Sequence, residues 1–470
     1  VATVTIDAIA AGGDGIGRVN ELAVFVPRTA PGDVAQIAYR QHGRLGRGRV
    51  LQLLTASPAR VDAACPHYEA DQCGGCQLQH LSSDAQRHAR QVIVQDALQR
   101  IGKRSIPLPS LTSGVAWGYR SRLTVALRKR GRGWVGGLHA HHDATRVFAL
   151  THCPIAHPAL VQTWLALSAV MRAHPLPEAD TLRLAFRLER DERGEGVAIV
   201  VQGGRAWPQA RAFGEAAGAL VPAAAESAAE SAAEALASAF GVTTVWWLDD
   251  GGRATPCWSR SATLTPAPDA DEPREEGSAA DYVPAADEAL AFAQVNASLA
   301  ESLRESVYTR VMAFAPQRVV DGYAGVGALT ERLALGGVAS VAIEADAAGA
   351  NAATARLAAH DADVRRRARI VCDTVERALP SLGEAAMPDV VVLNPPRRGV
   401  DARVTAWLDA APARVRGVVY VSCNPATLAR DLARLRSWEV LSVECFDMFP
   451  QTAHVESVCV LQRSQRPEAE

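Results

Sequence analysis

Three groups of residues in this 470-residue chain have types and spacing suited to chemistry. The first is a lone thiol, Cys423, in "GVVYVSCNPATLARDL". The apolar run Val418 to Val421 reads as a buried strand, Asn424-Pro425 stops it, and a helical pattern follows. A thiol there sits at the edge of an α/β sheet where ligands bind. Ionised, it is a nucleophile; otherwise it is a small packing group. The second group is three acids, Asp321, Glu344 and Asp373, each near the end of a β-prone run ("RVVDGYA", "VAIEAD", "RIVCD"). The third is "CPHYEADQCGGCQLQH", with Cys65, Cys73 and Cys76, joined far along by Cys153 in "THCPIAHP".

The acids frame a ligand site. "VVDGYAGVGALTERLA" turns through Gly322, Gly325 and Gly327 into a helix, and glycines there let the backbone approach a ligand closely. A dinucleotide fingerprint lacks the acid that opens this turn. An acid at Glu344 can take both hydroxyls of a ribose. Three successive strand-ending acids resemble S-adenosylmethionine-dependent methyltransferases. That resemblance implies Asp321 beside the methionine amine, Glu344 on the ribose and Asp373 near adenine. The alternative is a Rossmann-like enzyme using a nicotinamide cofactor. The fourth strand ends in Asn394-Pro395-Pro396-Arg397, prolines that stiffen a loop over the pocket. Asn-Pro-Pro also resembles the motif of enzymes that methylate the exocyclic amines of adenine or cytosine, but those follow it with an aromatic residue.

Near the C-terminus "FPQTAHVESVCVL" carries His454 and Glu456. Together, Asn-Pro-Pro-Arg, Ser-Cys-Asn-Pro and Pro-Gln-Thr-x-His-Val-Glu resemble the RNA (uracil-5-)methyltransferase family. The chemistry explains the residue types. C5 of uracil is a weak nucleophile until a thiolate adds at C6; a base must then remove the C5 proton so that the thiolate can leave. The resemblance implies Cys423 as nucleophile and Glu456 as base, with Arg397 and His454 at the substrate. It places Gln294 of "AFAQVN" at the cofactor and Phe292 near the base pocket. Tyr323, Gly325 and Asn394 complete the cofactor set. Two positions depart from the family's usual pattern: Asn394 stands where Asp is usual, and Ala328 where Asn is usual.

Four soft ligands suit zinc or an iron–sulfur cluster. Three clustered cysteines and a remote fourth followed by Pro favour [4Fe–4S]. The same arrangement occurs in the ribosomal-RNA branch of the family, usually with a shorter first spacing than Pro66 to Gln72 allows here.

The elements that must position these residues predict a multidomain chain. Residues 1–56 read as a small OB-like β-barrel that resembles the TRAM module, with Arg40, Arg44, Arg47 and Arg49 able to contact phosphates. Residues 57–285 read as an α+β central domain with the cysteine cluster and a low-complexity insertion near 222–280. Residues 286–470 alternate strands and helices, an α/β Rossmann-like methyltransferase domain on a mainly parallel sheet. The net charge of −2 conceals a basic block from Arg87 to Arg132, which suits a polyanion. No apolar run spans a membrane and no basic-then-apolar leader opens the chain. The expectation is therefore a cytoplasmic monomer that works on RNA, 23S rRNA first, and neither on DNA nor at a membrane. Rival readings are the same chemistry on tRNA, amine methylation through Asn394-Pro-Pro, and a non-catalytic RNA-binding protein on this fold.

Overall fold

The computed structural model describes residues 1–131, 133–191, 193–220, 240–261 and 295–464. Phe292 and Gln294 lie outside them, as does most of the Ala-rich and acidic sequence expected as an insertion near 222–280. That expectation needs one correction. Within the stretch, Gly241–Leu248 and Ala254–Ser259 form strands. "GVTTVWWL" is β-branched and aromatic, and its side chains fill a sheet core.

The chain divides into two compact units that interleave in sequence. The first comprises Val1–Asp62, Gln77–Gly114 and Asn296–Glu470; the second comprises Ala63–Cys76 and Val115–Val295.

In the first unit, β1 (Ala2–Ile9), β2 (Gly15–Val19), β3 (Leu22–Val26), β4 (Val34–His42) and β5 (Leu45–Thr55) close a barrel in the order β1-β2-β3-β5-β4. Gly15–Val19, despite its two glycines, is a strand paired with both β1 and β3. Alternate residues such as Val4, Ile6, Val24, Val26 and Ile37 fill the barrel.

The same unit holds an eight-stranded sheet. Its strands are β6 (Ser110–Thr112) and, after seven strands that belong to the second unit, β14 (Arg318–Gly322), β15 (Ala339–Glu344), β16 (Ala368–Cys372), β17 (Val390–Leu393), β18 (Gly417–Ser422), β19 (Trp438–Phe446) and β20 (Glu456–Arg463). The order is β16-β15-β14-β17-β18-β20-β19-β6. Strands β14 to β18 are parallel, and the central strands β17 and β18 are buried throughout, as a sheet covered on both faces requires. The first strand, β14, has β15 on one side and β17 on the other, so the order reverses there and opens a crevice at the carboxyl ends. Strand β20 runs antiparallel to both its neighbours, and its first residue therefore lies at that same edge.

Helix Ser83–Arg100 belongs to this unit and packs Ala89 and Ile93 with Ile9 and Ala30 of the barrel region and Ala453 of the β19–β20 connection. The basic block thus splits between the units, and part of it works internally: Arg90 is fully buried and Arg104 donates to the carbonyls of Leu432 and Leu435.

The second unit is built on a seven-stranded sheet: β7 (Arg122–Arg130), β8 (Gly133–Ala140), β9 (Asp143–Ala149), β10 (Thr181–Asp191), β11 (Gly194–Gln202), β12 (Gly241–Leu248) and β13 (Ala254–Ser259), in the order β13-β12-β11-β10-β7-β8-β9. Helix Pro158–Ala173 lays Leu160, Trp164 and Leu167 on its core. No helix among the described residues is long and apolar enough to cross a membrane.

Candidate active site

The carboxyl edge of the eight-stranded sheet carries the chemistry-bearing residues in spatial sequence. Asp373 follows β16, Glu344 ends β15, Asp321 lies in β14, Asn394 follows β17 and Cys423 follows β18. Adjacent strands lie about 4.8 Å apart, so the three acids span roughly 10 Å, the scale of a nucleoside with its side chain.

Each acid is held differently. Glu344 accepts the backbone N–H groups of Gly325 (2.8 Å) and Asp346 (2.8 Å), which fixes the glycine turn against the end of β15. Asp321 is buried and accepts the Thr330 hydroxyl at 2.8 Å. Burial raises its carboxyl to about 6, the Thr330 hydrogen bonds opposing. Asp373 is half-buried, accepts the N–H of Thr374 and lies 3.6 Å from Arg377. Tyr323 and Gly325 both take left-handed backbone conformations, and space in front of Gly325 is open. The turn is closed at Gly327 (φ 72°), where a Cβ would come within 2.8 Å of Ala353. The helix Ala328–Leu335 starts there without a side-chain cap, since its N-cap is Gly327, which has no side chain. The cradle therefore fits a nucleoside-bearing cofactor: an open glycine turn, a carboxylate already oriented by backbone donors, and a buried acid beneath.

At the ends of β18 and β20, strand register does the positioning. Val421 pairs with Val458 and Ser422 with Ser457, so continuing the ladder one step sets Cys423 opposite Glu456. Phe446 pairs with Glu456 across the other side, so Asp447 to Val455 form the hairpin connection. Glu456 is buried, and burial raises its carboxyl to about 7, with Arg397 opposing. Cys423 is half-buried. Its thiol is pushed up by burial and by the Glu456 charge and drawn down by the Arg397 charge. One guanidinium thus faces both the thiol and the carboxyl. His454 is exposed, with its ring 5.9 Å from that of Phe449. Asn394 is exposed at the end of β17, its N–H donating to the Gly322 carbonyl at 3.2 Å.

Sequence reasoning missed the residues that hold these loops. Asp431 sits fully buried on the packed face of helix Pro425–Leu432. Arg90 and Gln86 reach the hairpin connection from helix Ser83–Arg100. The one legible signal was an acid in an apolar stripe, Leu428-Ala429-Arg430-Asp431-Leu432.

The four cysteines of the third group belong to the second unit. Cys65, Cys76 and Cys153 pack with Tyr68, Tyr119 and Ile155, while Cys73 borders the adjoining sheet core that Cys153 also touches. His67 ties the two ends of the set together: its Nδ1 lies 2.7 Å from Asp71, and its Nε2 accepts the N–H groups of Thr151 and His152. Burial pushes up the Cys65 and Cys153 thiols. No cysteine among the described residues is in a disulfide. Among those residues no three His, Cys, Asp or Glu side chains are arranged to hold a metal ion. The four thiols are soft donors of the kind a thiolate-bound cluster takes, but their side chains are not gathered for one.

Comparison with known proteins agrees with this architecture. A family model described as tRNA (Uracil-5-)-methyltransferase matches residues 285–464, and one for the TRAM domain matches residues 1–38. An uncharacterized RNA methyltransferase of Thermosynechococcus vestitus is 32% identical, covering 98% of this chain and 97% of its own. The 23S rRNA (uracil(1939)-C(5))-methyltransferase RlmD of Methylococcus capsulatus is 30% identical, covering 97% of this chain and 96% of its own. The crystal structure of the Pyrococcus abyssi tRNA (uracil-54, C5)-methyltransferase with S-adenosyl-L-homocysteine shares the fold, with a TM-score of 0.64 at 20% identity over 98% of this chain and 100% of that one.

Proposed function

The chain belongs to the S-adenosylmethionine-dependent RNA (uracil-5-)methyltransferase family, and we propose that it methylates C5 of a uridine in 23S rRNA through a covalent bond between Cys423 and C6. The observation that carries the covalent reading is the meeting of Cys423, Glu456 and Arg397 at one strand end. The 30% identical ribosomal-RNA enzyme supports the choice of RNA.

S-adenosylmethionine supplies an electrophilic methyl group. Asp321, Tyr323, Gly325, Glu344 and Asp373, with Asn394 at the neighbouring strand end, are the residues proposed to hold it; on sequence resemblance Gln294 is proposed to join them and Phe292 to lie near the base pocket. The protein's own part is proton and charge management. Arg397 offsets one negative charge, so the thiol and carboxyl titrate as a pair. The Cys423 thiolate attacks C6, which makes C5 nucleophilic. After methyl transfer an ionised Glu456 accepts the C5 proton, and the C6–S bond breaks to return the thiolate. His454, exposed at the rim, is proposed to face the target base.

We also propose that Cys65, Cys73, Cys76 and Cys153 bind a [4Fe–4S] cluster, supported by their soft donor set and by the packing of Cys65, Cys76 and Cys153 in one cluster of side chains. Anaerobically purified protein should then carry about four irons per chain. Zinc without iron would reject the assignment.

The function is tested with labelled S-adenosylmethionine and unmodified 23S and tRNA transcripts, followed by nucleoside digestion. Label in 5-methyluridine from the ribosomal transcript is expected. Label only from tRNA would move the target, and label in methylated adenosine or cytidine would make Asn394-Pro-Pro the working motif.

A further inference from the structure

We propose that Asp431 is a positioning residue that governs the reactivity of Cys423, by fastening the turn that presents Arg397 to the sulfur. The proposal rests on the reading of Cys423 as nucleophile, but its test does not require methyl transfer.

The helix Pro425–Leu432 begins two residues after Cys423, and its residues reach back to the turn after β17 at three points. Asn424, its N-cap, donates from Nδ2 to the Arg397 carbonyl at 3.2 Å. Arg430 donates from Nη2 to the Arg398 carbonyl at 2.8 Å. The Asp431 carboxylate accepts the Val400 N–H at 3.0 Å. Arg397, Arg398 and Val400 are therefore each held by a group from the helix that follows the nucleophile. Gly399 sits between them with φ 76°. A Cβ there would come within 2.4 Å of the Asp431 carboxylate and 2.6 Å of Arg430, so the turn closes onto this pair only with glycine.

Asp431 organises the clamp. It has no exposed side-chain surface, and a carboxylate buried so fully needs partners. It has them on both oxygens. Tyr420 of β18 donates to Oδ2 at 2.8 Å. Arg430 donates to Oδ1 through Nε (2.9 Å) and Nη2 (2.8 Å), and Arg434 lies at 3.4 Å. Tyr420 is three residues before Cys423, so one carboxylate joins the nucleophile's strand, the helix after it and the Arg397 turn. Helix packing alone would favour an apolar residue at position 431, facing Leu428 and Leu432. A buried, fully partnered acid instead gives the turn a single conformation, and the Arg397 side chain starts from that anchored backbone.

The test is the pH dependence of Cys423 alkylation by iodoacetamide in the full chain without RNA or donor, read by peptide mass spectrometry. The charged groups facing the sulfur are Arg397 and Glu456. Arg397→Ala should move the profile to higher pH and cut alkylation at pH 7.5 by up to about tenfold, as one unit of thiol pKa would. Asp431→Asn and Arg430→Lys should move it the same way by a smaller amount. Neither should add to the shift in an Arg397→Ala background, because both act through Arg397. A wild-type profile in folded Asp431→Asn and Arg430→Lys proteins would overturn the proposal, as would a shift fully additive to that of Arg397→Ala. If Asp431→Asn does not fold, Arg430→Lys decides alone, since Arg430 is 41% exposed and lysine keeps a cation beside Asp431. The covalent reading fails separately, if Cys423→Ala keeps full methyl transfer.

Discussion

Cys423 and Glu456 are opposite each other because β18 and β20 are in a fixed register, and each is tuned by what surrounds it. Removing the thiol should abolish turnover while sparing the donor cradle. Cys423→Ala is expected to lose at least about 10³-fold in kcat, with S-adenosylhomocysteine affinity by calorimetry unchanged. Glu456→Gln should still form the adduct with RNA, seen as a denaturant-stable band, and release it roughly 10² to 10⁴-fold more slowly, the usual contribution of a general base. Normal turnover by that variant would remove Glu456 from the mechanism. Burial also gives Glu456 a stability signature. Its carboxyl is raised from 4.5 to about 7, so the folded state keeps a proton that the unfolded chain releases. The group costs nothing below about pH 4.5, and its ionisation destabilises the fold progressively as pH rises through 7. Glu456→Gln should therefore raise the thermal midpoint at pH 8 and leave it nearly unchanged near pH 4.5. The difference is on the order of 3 kcal/mol. A midpoint difference independent of pH would mean that Glu456 is solvated.

Among the elements, helix Ser83–Arg100 has the clearest consequence beyond its own packing. It braces the connection that delivers Glu456. Arg90 donates from Nε to the Thr452 carbonyl and lies 3.3 Å from Asp447, so a buried guanidinium ties both ends of the connection. Gln86 exchanges hydrogen bonds with the side chain and backbone of Gln451, whose φ of 69° marks the sharpest point of the turn. Arg90→Met should leave Asp447 buried without its cation and cost roughly 3–5 kcal/mol, measured by urea unfolding of this unit. Adding Asp447→Asn should recover part of that loss, because the carboxyl then no longer needs a counter-charge. Equal destabilisation by single and double variants would show that Arg90 acts by packing alone.

For the whole molecule, the barrel supplies the feature that most invites a polyanion. Arg40 and Arg47 stand directly opposite each other across β4 and β5, and Arg44 and Arg49 flank them, all exposed. Like charges paired across a ladder oppose folding, so phosphate binding is the reason proposed for keeping them. Arg47→Ala should weaken RNA binding about equally for different sequences and reduce the slope of log K against log salt by about one. An unchanged slope would take Arg47 out of the RNA contact. The interleaving of the two units is a property of this scale as well. The cysteine loop Ala63–Cys76 joins residues beyond Val115, while Gln77–Gly114 returns to the barrel and the catalytic sheet.

Much of the fold was written locally. The apolar runs of β14 to β20 and the β-prone runs of the barrel follow from residue type and period, which depend on near neighbours. Cys423, Glu456 and Arg397 stood out in the sequence because the proposed reaction restricts which side chains serve, and the register of β18 and β20 brings the first two opposite each other. The brace and the clamp were not. Arg90 and Asp447 are 357 positions apart, and nothing near either one marks it as a partner. Asp431 reads locally as a flaw in an apolar helix face and becomes intelligible only when Tyr420, Val400 and Arg430 surround it. Gly15–Val19 became a strand because partners on both sides satisfy its backbone. Sequence thus determined which groups could do the chemistry. Tertiary structure decided which buried polar groups hold them in place, because a buried charge is tolerable only beside partners that distant segments supply.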